Sequence, residues 1–357
     1  MEIKELLQLT VKNNASDLHL IPDVTPTIRL DGVLQPLATF EKLTKEQVEE
    51  LVFQILTPEQ KDLLLANKEI DFAIEYAGGD FSGLGRFRVN AYYQRARLCA
   101  AFRFLPVNIR SIEELKLPKI LHTFATYKQG FVLVCGPTGH GKSTTLAAII
   151  NEINLTKSAH ILTIEDPIEY VYPFGKSIVS QREMGIDSHS WSMALRSALR
   201  EDPDVVLIGE MRDPETISSA ITIAETGHLV FSTLHTNSAS QTIDRIIDSF
   251  PSNQQAQIRI QLSSTLKGIV SQRLLPRIDG GRIPAFEVLI GNSAIASNIR
   301  DGKTHLIDSV IQTSQDIGMV TLESSLASLV LTGAISLETA KSYALRPEEL
   351  LRMVKLV

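Results

Sequence analysis

Residues Gly136-Pro137-Thr138-Gly139-His140-Gly141-Lys142-Ser143-Thr144 satisfy the whole pattern G-x-x-x-x-G-K-[ST], directly after the apolar run Phe131-Val132-Leu133-Val134-Cys135. No other stretch limits the fold so sharply, because such a loop must leave a strand and open a helix, here over 144–153. Its glycines let the backbone curl until successive N–H groups face one point, which suits the phosphates of a nucleoside triphosphate. Gly136, Thr138, Gly139, Gly141 and Thr144 are expected around the phosphates, Lys142 between the β- and γ-phosphates, and Ser143 on Mg²⁺. No Asn-Lys-x-Asp guanine-reading element occurs, so the expected cofactors are ATP and Mg²⁺.

With 357 residues the chain has room for two domains, each with its own core. A composition of 44% hydrophobic and 21% charged residues excludes a disordered chain. The net charge of −6 gives no support to a nucleic-acid partner, which needs a concentrated basic face. No stretch approaches the ~18 consecutive apolar residues of a membrane span, and Met1-Glu2-Ile3-Lys4-Glu5 lacks the apolar segment of a signal peptide. A cytoplasmic protein with only indirect membrane association is expected. Cys99 and Cys135 stand far apart with no C-x-x-C pairing, which leaves neither a disulfide framework nor a four-cysteine zinc site.

From Leu6 to about Arg103, short helical and strand patterns alternate between turn signals at Pro22, Pro26, Asp31-Gly32 and Gly78-Gly79-Asp80, as in a compact α+β domain. Residues 43–65 carry helical periodicity, and 87–93 and 98–104 read as strands. The stretch 105–111 interrupts both periodicities and is the best linker. Beyond it, apolar strands at 131–135, 160–164, 204–208 and 228–233 alternate with helical patterns, which predicts an α/β domain on a mainly parallel sheet. Asp213-Pro214-Glu215 is a helix start, with a capping carboxylate and proline at the first helical position, and Gly227 closes that helix. After Asn237 helices are expected to dominate, with one strand at 285–290.

Triphosphate hydrolysis requires a carboxylate to orient water, an anchor for Mg²⁺ and positive charge on the transition state. Asp204-Val205-Val206-Leu207-Ile208-Gly209-Glu210 is an apolar strand ending in an acid, and Glu210 would hold Mg²⁺ through water. Glu165-Asp166-Pro167-Ile168-Glu169 sets three carboxylates where open α/β sheets place their ligands, so either one of them activates the attacking water or all three are simply solvated. His228 and His235 bracket an extended segment about 20 Å long at ~3.3 Å per residue, too far apart to share a metal. His235, at the carboxyl end, can sense the γ-phosphate; His228 reads better as structural. Arginines gather at Arg86, Arg88, Arg95, Arg97 and Arg103, and again at Arg196 and Arg200, whose spacing puts both on one helix face. They suit a triphosphate contacted across a subunit boundary, or, for the second pair, surface ion pairs with Glu201 or Asp202.

In this order the motifs resemble the secretion ATPase superfamily that powers type II and type IV secretion and type IV pili, over nearly the whole chain. Ala15-Ser16-Asp17-Leu18-His19-Leu20, Thr27-Ile28-Arg29-Leu30-Asp31-Gly32 and Gly85-Arg86-Phe87-Arg88-Val89-Asn90 resemble its N-terminal domain. Ile164-Glu165-Asp166-Pro167-Ile168-Glu169 resembles its Asp box, Ile208-Gly209-Glu210-Met211-Arg212-Asp213 its Walker B segment, and Thr226-Gly227-His228 to Leu234-His235-Thr236 its His box. Within the superfamily the retraction ATPases of type IV pili are the nearest likeness. The short stretch before Ser16, the run Ala198-Leu199-Arg200-Glu201-Asp202-Pro203-Asp204 and the lack of the four-cysteine motif usual in extension ATPases point that way. Where retraction ATPases read approximately Ala-Ile-Arg-Asn-Leu-Ile-Arg-Glu, this chain has Ala294-Ile295-Ala296-Ser297-Asn298-Ile299-Arg300-Asp301.

The resemblance implies a PAS-like N-terminal α+β domain (1–103), a linker (104–117) and a RecA-like P-loop ATPase domain with C-terminal helices (118–357). It implies a homohexamer at the inner face of the cytoplasmic membrane, partnered by a membrane-embedded pilus platform protein and other type IV pilus components. By motif position it makes Glu169 the general base, Glu210 the Walker B acid, His235 the γ-phosphate contact, and Arg88 and Arg103 the arginine fingers, with Arg196 and Arg200 as further phosphate or interface arginines. A pilus-extension or secretion ATPase is the alternative within the superfamily. A nucleotide-gated scaffold with little turnover is the alternative outside it, and the presence of both Glu169 and Glu210 argues against that.

Overall fold

A computed structural model describes residues 2–30, 32–76, 85–105 and 108–355. The chain divides into two units, Met1–Asn108 and Ile109–Val357. Asp31, the turn signal Gly78-Gly79-Asp80, and Pro106 and Val107 of the expected linker lie outside the described residues.

The first unit is an antiparallel sheet of β1 (Asp17–Leu20), β2 (Thr27–Leu30), β3 (Val33–Pro36), β4 (Glu69–Tyr76), β5 (Gly85–Gln94) and β6 (Arg97–Leu105), in the order β3-β2-β1-β6-β5-β4. Strand period 2 decides what each face carries. Phe87, Val89 and Ala91 of β5 turn into a core with Leu98, Ala100 and Phe102 of β6 and Leu18 and Leu20 of β1, while Arg88 and Arg103 turn away from it. The helices Ile3–Lys12, Lys45–Phe53 and Pro58–Asn67 supply Leu6, Val48, Leu51, Val52 and Leu64 to the same core. The single helical run expected over 43–65 is thus two helices. Thr57 and Pro58 start the second one, the Thr57 hydroxyl accepting from the backbone of Gln60 and the Gln60 side chain accepting from the backbone of Thr57.

The second unit holds β7 (Gly130–Cys135), β8 (His160–Glu165), β9 (Ile178–Glu183), β10 (Val205–Ile208), β11 (Leu229–Leu234), β12 (Leu266–Pro276) and β13 (Arg282–Ile290) in one sheet, ordered β13-β12-β7-β11-β10-β8-β9. All neighbours are parallel except β12 and β13, an antiparallel hairpin at one edge. Both faces are covered, which is why the central strands read as unbroken apolar runs. Phe131, Leu133 and Cys135 of β7 face one core, with Ile217 and Ile221 of the helix Pro214–Glu225 and Ile243 of the helix Ala239–Asp248. Val132 and Val134 face the other, with Leu146, Ile149 and Ile153 of the helix Lys142–Thr156. Asp213 caps the helix Pro214–Glu225 by accepting from Thr216 N at 2.8 Å, and Gly227 follows its end at φ +104°.

Two strands of the second unit escaped the sequence patterns. β9 is an edge strand of largely polar residues, so it carries no apolar run. The one strand expected at 285–290 is instead a hairpin, and its missing half, β12, is masked because Leu266 ends the helix Ser252–Thr265 and begins the strand with no turn residue between them.

Candidate active site

The parallel register lines up the carboxyl ends of four strands. Cys135 pairs with Leu234, Ile208 with Ser232, and Ile208 with Ile164. The loop after β7, His235 after β11, Glu210 after β10 and the acids after β8 therefore emerge on one edge of the sheet, where a doubly covered parallel sheet leaves its ligand crevice.

Gly136, buried at the head of the loop, has φ +142°, and a Cβ there would come within 2.3 Å of the Gln272 carbonyl on β12, so the close approach requires glycine. Thr138 and Gly139 are exposed, and Gly141 precedes the first helical residue, Lys142. The Lys142 Nζ donates to the carbonyls of Gly136 at 2.8 Å and Pro137 at 3.1 Å. Burial lowers the Lys142 pKa, and the nearby charges of Glu210 and Glu169 pull it back up. Ser143 is half-buried at the helix start, and the Thr144 hydroxyl bonds Tyr170 Oη at 2.9 Å.

One polar chain crosses the site. The His235 Nδ1 lies 3.2 Å from Lys142 Nζ and 3.3 Å from Thr138 Oγ1, and its Nε2 lies 3.0 Å from Glu210 Oε1. With its proton on Nε2 the ring accepts from the Lys142 ammonium at Nδ1 and donates to the Glu210 carboxylate. The other Glu210 oxygen takes Arg212 at 3.0 Å, and this bond raises the Arg212 pKa, as do the charges of Glu210 and Asp166. Thr233 Oγ1 fixes the same turn by donating to Gly209 O at 2.6 Å.

The three acids at the end of β8 and just beyond it part company. Asp166 is exposed and Glu169 half-buried, but Glu165 is buried, and burial pushes its carboxyl up to about 7. Their spacing alone does not separate the three, nor does it show what holds the loop beyond them. Gln181 on β9 accepts from Tyr172 N at 3.1 Å and donates to Tyr170 O at 2.8 Å, and the Tyr170 hydroxyl reaches Thr144. His228 is structural as read, its Nδ1 3.0 Å from Ile223 O and 3.1 Å from Thr226 Oγ1.

The arginines divide between units. In the first, Arg88 stands directly across from Arg103, which stands across from Asp17, which stands across from Arg29, a row over four strands. Asp17 separates the charges, meeting Arg103 at 3.0 Å and Arg29 at 3.7 Å, while Arg88 leans to Asp71 at 3.8 Å. In the second unit, the expectation that Arg196 and Arg200 share a helix face is wrong. Their helix, Trp191–Ala198, ends before Arg200, which lies in the following turn. Nor does either pair with Glu201 or Asp202. Arg196 meets Glu215 at 3.7 Å, and Glu201 takes Arg182 at 2.7 Å.

A family model described as type II/IV secretion system protein matches residues 85–322. The chain belongs to this family of type II/IV secretion system proteins. It is 47% identical over 348 residues to the type IV pilus retractation ATPase PilT of Pseudomonas aeruginosa, covering 98% of this chain and 99% of that one. It is 46% identical over 349 residues to a twitching motility protein of Neisseria gonorrhoeae, covering 98% and 92%. Among solved structures, the pilus retraction motor PilT with bound ADP superposes with a TM-score of 0.90 at 46% identity, covering 99% of each chain. The secretion-family fold is the one expected, an antiparallel N-terminal domain followed by a parallel-sheet ATPase domain with C-terminal helices. In the stretch 294–301, Ile295 and Ile299 are the buried positions of the helix Ser293–Arg300, and residues 296–298 are only half-buried.

Proposed function

We propose that this family member is an ATP-hydrolysing motor that retracts type IV pili. The observation that carries the chemistry is the Lys142–His235–Glu210 chain at the carboxyl edge of the sheet, beside Glu169. On this reading 136–144 wraps the phosphates, with Gly136, Thr138, Gly139, Gly141 and Thr144 around them and Lys142 on the β- and γ-oxygens. Glu169 takes the proton of the attacking water, and His235, already between Lys142 and Glu210, reports the γ-phosphate. Arg88 and Arg103 serve as fingers, with Arg196 and Arg200 as further interface arginines.

The donors also suit Mg²⁺. Among the described residues no group of three His, Cys, Asp or Glu side chains forms an all-protein cage, whereas one hydroxyl, Ser143, and one carboxylate, Glu210, fit an ion that arrives on phosphates and keeps its waters. Bound there, the ion would neutralise charge developing on the transferred phosphoryl group.

The motor is read as a homohexamer, with a PAS-like domain (1–103), a linker (104–117) and an ATPase domain (118–357), acting on an inner-membrane platform protein and other pilus components. Among the described residues no helix is long and apolar enough to cross a membrane, so attachment to the inner face would run through that partner. Support for retraction over extension comes from near end-to-end similarity to the retraction ATPase. Gene deletion tests the direction of work: cells that keep surface pili but lose twitching fit retraction, and cells without pili fit extension.

A further inference from the structure

The search for unused polar groups leads behind the phosphate loop rather than in front of it. β12 runs parallel to β7 as far as the pair Ser271 and Cys135, so the next residue, Gln272, stands opposite Gly136. Gln272 is buried, 3% exposed, and both ends of its amide are used. Its Nε2 donates to the His140 carbonyl at 2.7 Å, inside the loop, and its Oε1 accepts from Thr145 Oγ1 at 2.6 Å, on the first turn of the following helix. The amide also fills the space beneath Gly141, where a Cβ would come within 2.9 Å of Nε2. Two residues on, Leu274 N donates to His140 Nδ1 at 2.9 Å, and the outer side of the same imidazole meets Tyr343, with ring centroids 6.3 Å apart.

We infer that Gln272 is a positioning residue for nucleotide binding, a clamp from β12 that fixes the curl of the phosphate loop against the start of its helix. Curling a loop so that several N–H groups converge is costly unless something outside the loop holds it, and here a buried side chain ties its fifth residue to the helix. The clamp is anchored in turn. Leu275 of β12 and Ile283 and Ala285 of β13 share a core with Leu322, Leu326 and Leu350 of the C-terminal helices, so those helices brace the phosphate site from behind. Cutting the clamp leaves the Thr145 hydroxyl, 1% exposed, and the His140 carbonyl without their buried partner.

The inference rests on the reading of 136–144 as the nucleotide site, and the test separates the two. Binding of a fluorescent ATP analogue with Mg²⁺ is measured on the full chain for native protein, Lys142→Ala, Gln272→Leu, Gln272→Met, Thr145→Val and Thr145→Ser, with melting temperatures alongside. The expected result is a Kd raised about tenfold in Gln272→Leu and Gln272→Met, with Thr145→Ser recovering affinity that Thr145→Val loses because it keeps the hydroxyl. Gln272→Met keeps the length of the side chain and adds no charge but cannot donate to His140, so its loss marks the hydrogen bonds rather than packing. Gln272 variants that bind within twofold of native protein, or Thr145→Ser binding no better than Thr145→Val, would overturn the clamp. Native protein that binds no nucleotide would take down the site itself, and the clamp with it.

Discussion

The phosphate edge of the parallel sheet and the arginine row of the antiparallel sheet are built on opposite principles. At the phosphate edge, Lys142 is 8% exposed, and loop, His235, Glu210 and β12 are joined by bonds between segments far apart in sequence. In the arginine row, among the described residues, the Arg103 side chain is 67% exposed and meets Asp17, and Arg88 has a long contact with Asp71. Groups bonded at several points are preorganised even where, like His235 with a side chain 40% exposed, they reach solvent, whereas single exposed ion pairs contribute ~0–1 kcal/mol and release easily. The contrast suits a division of labour in which one region holds nucleotide in a fixed geometry and the other lends its charge only when presented.

The largest expected effect breaks the fixed side. Lys142→Ala should weaken nucleotide binding by roughly a hundredfold or more, since buried charge-assisted contacts to phosphate are lost together; titration with the fluorescent nucleotide checks it, and near-native affinity would show that the loop is not the binding element. Next, Arg88→Ala and Arg103→Ala should cut turnover by about 10³-fold for whichever is the finger, leaving Kd and melting temperature near native. Normal hydrolysis by both variants in an intact assembly would remove fingers from the arginine row. Glu210→Gln should keep binding and lose turnover by on the order of 10²-fold, as for loss of one electrostatic group in a preorganised site; single-turnover hydrolysis separates the two. Asp17→Asn, which unpairs Arg103 without moving it far, should slow turnover by only a fewfold.

The smallest effect concerns the back of the fixed region. Burial pushes the Glu287 carboxyl from 4.5 to about 7, with Asp308 and Glu323 adding to the rise and the Ala239 N–H and Arg346 opposing it. Between those two pH values the folded chain holds a proton that the unfolded chain has lost, so this group's contribution to stability falls as pH climbs from about 4.5 to 7 and stays lost above. Glu287→Gln should therefore raise the melting temperature more at pH 8 than at pH 5, by on the order of a few degrees. A pH-independent difference would mean that the carboxyl is ionised throughout.

Much of the phosphate edge was legible because its parts are contiguous motifs. Residues 136–144, Glu210 at the end of β10 and His235 after β11 announce themselves by a strand followed by the right residue, and the parallel register brings them together. What stayed hidden depends on pairing across the chain. Thr145 and Gln272 are 127 residues apart, and the strand that joins them has no turn signal at its start. Gln181 was invisible for a related reason, since an edge strand needs no apolar pattern. Asp17 sat in a recognised motif, but its place between two arginines comes from the order β2-β1-β6, which composition does not encode. The error over Arg200 came from extending a helical period past the helix end at Ala198.

The central claim, that these groups form an assembling ATP motor, is met most directly by Mg²⁺-dependent ATP hydrolysis per subunit across a protein concentration series, with Glu169→Gln as the control. Turnover per subunit that rises with concentration and vanishes in Glu169→Gln is the predicted result. Binding without turnover at every concentration, or turnover that survives in Glu169→Gln, would contradict it.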